Sequence, residues 1–187
     1  MLQVVLTYVL IASFFAIEIF MRQGNSAKSL EATDSDKGST LLIGGSFGVA
    51  IVLPPLLNLI QVGQTTLAIV GWIGLVIMLL GLGLRVWSMR VLGAFYSRTL
   101  RVTDTQSIVT QGPYRVIRHP GYLGTMLVWV GSGLALSNWI AAALIALLMF
   151  GVYGYRIRSE EAMLLATFGD RYRQYCQQTW KLLPFLY

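Results

Sequence analysis

Most of the ionisable side chains of this 187-residue chain lie in two polar stretches, residues 89–121 and 156–187, where any chemistry is expected. In the second stretch, Arg156 and Glu160 are four residues apart, so a helix would place both on one face. A guanidinium there could hold a carboxylate through two parallel hydrogen bonds, and Glu160 could accept hydrogen bonds from a second ligand. An ordinary surface ion pair, worth about 0.3–0.5 kcal/mol, fits the same spacing.

The first stretch contains the one histidine of the chain, His119, which excludes a metal site built from several histidines. Pro120 disfavours a helical conformation of His119, and this would hold the ring against a small ligand. A structural hydrogen bond is the ordinary alternative for a lone histidine. The single cysteine, Cys176, allows no internal disulfide and matches no metal-ligand spacing. The sequence therefore predicts no metal site and an inert thiol.

Four short motifs follow one another in the two stretches. They are Gly-Pro-Tyr-Arg from residue 112, Arg-His-Pro-x-Tyr-x-Gly from residue 118, Arg-x-x-x-Glu-Glu from residue 156 and Phe-Gly-x-x-Tyr from residue 168. With this order and spacing, over roughly the C-terminal half, the chain resembles the isoprenylcysteine carboxyl methyltransferases. It looks like a compact prokaryotic ortholog of that family.

This resemblance implies that S-adenosyl-L-methionine is the cofactor and that the two stretches bind it on the cytoplasmic side. The cofactor contacts implied by the motifs are Gln106, Ser107, Ile108, Val109, Tyr114, His119, Pro120, Gly121, Tyr122 and Glu160. The resemblance also implies that Arg156 is the catalytic residue that positions the substrate. Gly121 departs from the serine that family members often have, a change that a backbone contact would tolerate. Tyr114 and Tyr122 could also be ordinary interfacial aromatic residues.

Five apolar runs must position these stretches. Of all residues, 56% are hydrophobic and only 12% are charged, against roughly a quarter charged in soluble domains. The runs cover residues 2–21, 41–60, 67–87, 122–136 and 139–155, and about 20 apolar residues make a spanning helix. The sequence therefore predicts an all-α integral membrane protein of one domain, residues 1–187, with five transmembrane helices. A re-entrant pair is the alternative for the last two runs, which are short.

Two features inside the runs have simple interpretations. No positively charged region precedes the first run and no cleavage site follows it, so we expect a membrane span rather than a signal sequence. The glycines at Gly44-Gly45 and at Gly81 and Gly83 predict close helix packing, because a nucleotide-binding glycine loop would need a preceding strand.

The basic residues predict the orientation of the helices. With five spans, all 14 Lys and Arg residues fall on one side, which is typically the cytoplasmic side. The N-terminus would lie outside and the C-terminus and the site inside, in the cell membrane of a prokaryote. The formal charge of +6 fits anionic lipid heads and does not require nucleic acid. We interpret Arg115 and Arg118 as anchors to such lipids, and Glu18 and Arg85 could pair near the same interface.

The predicted function is an S-adenosylmethionine-dependent methyltransferase that esterifies the carboxylate of a lipid-borne, isoprenylcysteine-like substrate. A carboxylate is already ionised at pH 7, so this chemistry needs no general base. A phospholipid or other lipid N-methyltransferase is the first alternative, in which Glu160 or Glu161 would act as the base. A non-catalytic lipid-binding protein is the second. A sterol-reductase-like enzyme would need a site for the extra phosphate of NADPH, and the sequence offers no domain for one.

Overall fold

The computed structural model of the protein describes residues 1–21, 38–93 and 108–185. The helices, in chain order, are α1 (Leu2–Phe20), α2 (Ser39–Leu59), α3 (Ala68–Leu92), α4 (Pro120–Ala135), α5 (Trp139–Phe168) and α6 (Asp170–Gln178). A short 3-10 turn, Gly112–Arg115, precedes α4. Over the described ranges, β-pairing is confined to two isolated bridges. The predicted all-α class is therefore confirmed.

The predicted count of five transmembrane helices is wrong for α4. Helices α1, α2, α3 and α5 are each long and apolar enough to cross a membrane. Helix α4 has 16 residues and is about 24 Å long, whereas the hydrocarbon core is roughly 30 Å thick. Eleven of these residues are buried, because α4 packs against α1, α2, α3 and α5. A helix surrounded by protein does not need to match the thickness of the lipid.

Glycine lets α3 and α4 approach each other closely. A Cβ atom added to Gly81 of α3 would lie 2.7 Å from the carbonyl oxygen of Gly124 of α4, so any side chain there would force the helices apart. The predicted close packing is confirmed for Gly81. It is wrong for Gly83 and for Gly44-Gly45, because the space around a Cβ atom added to any of these residues is open.

One asparagine holds the turn between α4 and α5. Asn138 caps α5 by accepting a hydrogen bond of 2.8 Å from the backbone N–H of Ala141, and its amide donates to Asn58 Oδ1 and to the carbonyl oxygen of Val62. The α2–α3 and α4–α5 connections therefore lie together at one end of the bundle. The start of α4, with His119, lies at the opposite end.

Aromatic side chains form the centre of the core. Trp129 of α4 is fully buried and stacks on Phe47 of α2, with ring centroids 4.9 Å apart. Phe14 of α1 meets the same indole edge-on, with centroids 5.6 Å apart. Each such pair stabilises the fold by about 0.5–1.5 kcal/mol beyond the area it buries. These contacts fix α1, α2 and α4 against one another.

Helix α5 is much longer than its apolar run. It has 30 residues and continues to Phe168, 13 residues past the predicted end of the span at residue 155. Gly169 then adopts a φ of +53°, a conformation that favours glycine, and the chain turns into α6. The extension of α5 therefore carries Arg156 and Glu160 on one continuous helix, as their spacing predicts.

Candidate active site

His119 and Pro120 form the junction between the 3-10 turn and α4. Pro120 is the first residue of α4, where its missing N–H costs nothing, and His119 is the N-cap with φ −123° and ψ 53°. This conformation is non-helical, as the following proline requires. The imidazole is buried and stacks on the Tyr122 ring with centroids 5.5 Å apart and planes 8° apart. The junction therefore holds the His119 and Tyr122 rings in a nearly parallel stack.

Two carboxylates of α5 lie against this pair of rings. His119 Nε2 is 3.3 Å from Glu161 Oε1, and His119 Nδ1 is 3.8 Å from Glu160 Oε2. The Tyr122 hydroxyl donates a hydrogen bond of 2.6 Å to Glu160 Oε2. Three residues that the motifs assign to the cofactor are therefore in direct contact, although they come from two helices.

Arg156 is buried beside the same tyrosine. Its Nε donates to the Tyr122 hydroxyl oxygen over 3.2 Å, and its Nη1 donates to Ser39 Oγ over 2.7 Å. The residue is 2% exposed, so the alternative of a surface ion pair is wrong. The Tyr122 hydroxyl joins Arg156, the predicted substrate-positioning residue, to Glu160, the predicted cofactor-binding residue.

Arg118 belongs to a partly buried network at the end of α6. Its Nε donates to Glu161 Oε1 over 2.9 Å, and its Nη1 donates to the backbone carbonyl oxygens of Cys176 and Thr179. Its side chain is 9% exposed. The interpretation of Arg118 as a lipid anchor is therefore wrong, whereas Arg115 is exposed and remains compatible with that role.

The Glu161 carboxylate contacts three basic side chains, those of Arg118, His119 and Lys181. The Lys181 Nζ lies 3.4 Å from Glu161 Oε2. Burial raises the pKa of this carboxyl group, but hydrogen bonds with His119 and Arg118 outweigh burial and lower the pKa from its ordinary 4.5 to about 2. Because the apolar run of α5 ends at residue 155, Glu161 lies beyond the spanning part of the helix. With this lowered pKa, the Glu161 carboxylate is ionised at neutral pH.

Helix α6 covers the 3-10 turn. The Tyr175 hydroxyl donates a hydrogen bond of 2.7 Å to the carbonyl oxygen of Tyr114. Burial raises the pKa of Tyr172, of Tyr175 and of the Cys176 thiol above their usual values. The thiol is protonated at neutral pH and therefore a weak nucleophile, in agreement with the inert cysteine that the sequence predicts.

A cavity of about 320 Å³ lies between the helices and reaches Arg156. Its polar lining residues are Glu18, Thr40, Arg85, Tyr122, Tyr153 and Arg156. Its other lining residues are apolar or glycine, and they are Phe14, Phe15, Ile43, Gly44, Phe47, Gly48 and Ile51. This volume is within the range of sites for small molecules. The cavity can therefore take an apolar chain that carries a polar head.

Sequence reasoning missed the part that α1, α2 and α3 play in this cavity. The predicted pairing of Glu18 with Arg85 is confirmed, with Arg85 Nη2 2.8 Å from Glu18 Oε1, and both residues line the cavity. Two charges inside apolar runs were the available signal, because intramembrane charges are usually functional. A Cβ atom added to Gly121 would lie 2.9 Å from Arg85 Nη1. Glycine in place of serine at this position thus leaves room for the Arg85 guanidinium.

The other predicted cofactor residues precede α4 or begin it. Gln106 and Ser107 lie outside the described residues. Ile108 and Val109 are half-buried just before the 3-10 turn, and Tyr114 is buried within that turn. Their part in ligand binding stays a prediction.

Comparison with known proteins identifies relatives over much of the chain. A model of the isoprenylcysteine carboxyl methyltransferase (ICMT) family matches residues 72–166. The chain is 31% identical over 119 residues to a probable protein-S-isoprenylcysteine O-methyltransferase of Oryza sativa subsp. indica, which covers 63% of this chain and 62% of that protein. It is 34% identical over 79 residues to the protein-S-isoprenylcysteine O-methyltransferase of Schizosaccharomyces pombe, and this alignment covers 42% of this chain and 34% of that protein. The chain thus spans less than two thirds of the length of these relatives.

The same fold is found in a solved structure. It is the structure of the eukaryotic intramembrane Ras methyltransferase ICMT without a monobody, with a TM-score of 0.67 and 23% sequence identity. The superposition covers 96% of this chain and 63% of the other. The described helices therefore have the arrangement of a known intramembrane protein.

Proposed function

Since this chain belongs to the isoprenylcysteine carboxyl methyltransferase family, we propose that it transfers a methyl group from S-adenosyl-L-methionine to a lipid-borne carboxylate, as in isoprenylcysteine. The observation that carries this proposal is the cavity, which buried Arg156 lines together with Phe14, Phe47 and other apolar residues. The same Arg156 is one hydroxyl group away from Glu160, through Tyr122. The acceptor and the donor would therefore meet at Tyr122.

Arg156 is the residue that would hold the acceptor. A guanidinium can bind a carboxylate through two parallel hydrogen bonds, which fix both its position and its plane. Hydrogen bonds to Ser39 and Tyr122 hold this guanidinium at the cavity wall. The lipid tail would lie against Phe14, Phe47 and the other apolar lining residues. An acceptor with this amphipathic form matches the cavity in both its charge and its polarity.

The donor would lie at the cluster of His119, Tyr122 and Glu160. Glu160 can pair with an amino group or accept hydrogen bonds from ribose hydroxyls, and the adjacent carboxylates favour a positively charged ligand. These groups fit S-adenosylmethionine, which supplies an activated methyl group when bound. Gln106, Ser107, Ile108, Val109, Tyr114, Pro120 and Gly121 would complete the donor site.

The protein would accelerate the reaction by alignment and by exclusion of water. The acceptor carboxylate is ionised at pH 7 and needs no base. Holding the two reactants in line can lower the activation barrier by several kcal/mol. The amine alternative needs a base. Glu161, whose pKa is about 2, is a poor base at neutral pH. This observation removes Glu161, but not Glu160, as the base of the amine alternative.

The positive-inside tendency supports a cytoplasmic site, since with five crossings all 14 Lys and Arg residues fall on the side of the membrane that carries the site. Although α4 is short, it runs from the His119 end of the bundle to the Asn138 end, so the chain passes through the bundle five times. We propose that the N-terminus lies outside and the C-terminus inside, in the cell membrane of a prokaryote. The donor would then reach the site from the cytoplasm, and the acceptor would reach it from the bilayer.

The decisive experiment incubates purified protein in nanodiscs with labelled donor and a panel of lipid carboxylates and lipid amines. Base-labile methyl esters are the expected product. Arg156→Ala should reduce turnover by a hundredfold or more, about 2.7 kcal/mol, and leave donor affinity nearly unchanged. Arg156→Lys should recover only part of this loss, and Arg158→Ala, an exposed position of the same helix, should retain full activity. Folded wild-type protein that makes only methylated amines, or no product, would contradict the proposal.

A further inference from the structure

Arg118 connects the segment after α6 to the start of α4. Its Nη1 donates to the carbonyl oxygen of Cys176 over 3.0 Å and to that of Thr179. Its backbone N–H donates to the carbonyl oxygen of Trp180 over 2.8 Å. One residue therefore binds the last turn of α6 and the chain that follows it. Backbone carbonyls that would otherwise lack helical partners are thereby satisfied.

Backbone pairing continues on either side of Arg118, at Val116 and at His119. The N–H of Trp180 donates to the carbonyl oxygen of Val116 over 3.0 Å, and the N–H of His119 donates to the carbonyl oxygen of Lys181 over 3.2 Å. Leu182, the next residue, is 2% exposed and belongs to the main hydrophobic core. Residues 179–182, the terminal segment, are therefore fixed alongside His119 by backbone bonds and by an apolar anchor.

Glu161 links the terminal segment to the carboxylate cluster. Its Oε1 accepts a hydrogen bond from Arg118 and lies 3.3 Å from His119 Nε2, while Lys181 approaches its Oε2. His119 in turn lies 3.8 Å from Glu160. Removing the Arg118 guanidinium would change the partners of Glu161 and loosen the terminal segment. Both changes act on the position of His119 relative to Glu160.

We propose that Arg118 is a positioning residue of the methyl-transfer site, clamping the terminal segment and Glu161 against His119 so that the donor meets an ordered His119–Glu160 pair. This inference rests on the proposed function, because the donor is the ligand concerned. Arg118 acts through Glu161 and through residues 179–182. It therefore supports donor binding and leaves the acceptor cavity, with Arg156, in place.

The experiment compares Arg118→Gln with Arg115→Gln in full-length protein in nanodiscs. Calorimetric titration with S-adenosylmethionine should show donor affinity at least tenfold weaker in Arg118→Gln, with less than a twofold change in the KM of the lipid carboxylate. Arg115→Gln removes the same charge from an exposed position three residues away and should leave both values unchanged. Arg118→Lys should recover part of the affinity, because one ammonium cannot replace the planar guanidinium at all three acceptors.

A purely structural role of Arg118 would lower the thermal midpoint and leave the donor affinity of the folded fraction unchanged. That result would overturn the proposal, as would equal effects of Arg118→Gln and Arg115→Gln. If Arg118→Gln does not fold, Glu161→Gln provides the test, since it should show the same loss of donor affinity and unchanged affinity would overturn the proposal. Wild-type protein that binds no donor would overturn the proposed function itself, a result distinct from any difference among variants.

Discussion

Replacing Tyr122 with phenylalanine removes one oxygen atom from the centre of the site. That oxygen donates a hydrogen bond of 2.6 Å to Glu160 and accepts one of 3.2 Å from Arg156. A hydrogen bond to a charged group is worth about 1.5–3 kcal/mol. The aromatic ring would keep its stacking on His119 and its contact with Tyr153, at centroid distances of 5.5 Å and 5.0 Å. The change should therefore affect the site more than the fold.

A loss of about 1.5–3 kcal/mol corresponds to a decrease of roughly 10- to 150-fold in kcat/KM. Because the hydroxyl joins the residues assigned to donor and acceptor, we expect both weaker donor binding and slower methyl transfer in a single turnover. Donor titration and single-turnover assays on the same preparation separate these two effects. Tyr8→Phe, at an exposed position of α1, is the matched control. If Tyr122→Phe kept more than half of the wild-type kcat/KM, the hydroxyl would not connect the two ligand sites.

Three further predictions follow from the cavity, the carboxylate cluster and the orientation. Gly44→Leu places a side chain in open space at the cavity wall and should raise the KM of the acceptor at least tenfold. Gly45→Leu also places a side chain in open space but outside the cavity lining, so the KM should not change. Equal effects of the two changes would refute this prediction. The low pKa of Glu161 stabilises the fold fully above pH 4.5, and this stabilisation is lost as the pH falls through 2. The excess thermal midpoint of wild type over Glu161→Gln should therefore shrink between pH 4.5 and 2, and an excess that persisted at pH 2 would contradict the assignment. In protein that lacks the native thiol of Cys176, a cysteine introduced at Thr66 should react with an impermeant thiol reagent added outside intact cells, and one introduced at Gln177 should not. The reverse result would show the opposite topology.

The apolar runs predicted helices α1 to α5, because an apolar segment in lipid must satisfy its backbone hydrogen bonds within itself. They gave the wrong environment for α4, which is buried by neighbouring helices rather than exposed to lipid, and composition alone cannot separate these two environments. The spacing of Arg156 and Glu160 predicted a shared helix face, which α5 provides. That Tyr122 joins them depends on the packing of α4 against α5, which no spacing within one helix contains.

Two other features depend on tertiary contacts that the sequence does not specify. The partners of Arg118 are mainly backbone carbonyl oxygens at Cys176 and Thr179, and every residue type carries such an oxygen. The ion pair of Glu18 and Arg85 joins residues 67 positions apart, so its formation depends on how α1 packs against α3. In both cases the residue types allowed several roles, and tertiary packing selected one of them.

The length of α5 has a mechanical consequence. Its 30 residues make a continuous rod of about 45 Å, which begins at the α4–α5 turn and ends past Glu161. Helices adjust their tilt when the bilayer is thinner or thicker than their apolar length, and tilting a rod moves its far end most. The short α4 is shielded from lipid and does not experience the same force. The distance between the carboxylates on α5 and the His119 ring at the start of α4 should therefore change with the acyl-chain length of the surrounding phospholipids. The thickness of the membrane would then affect the geometry of the site.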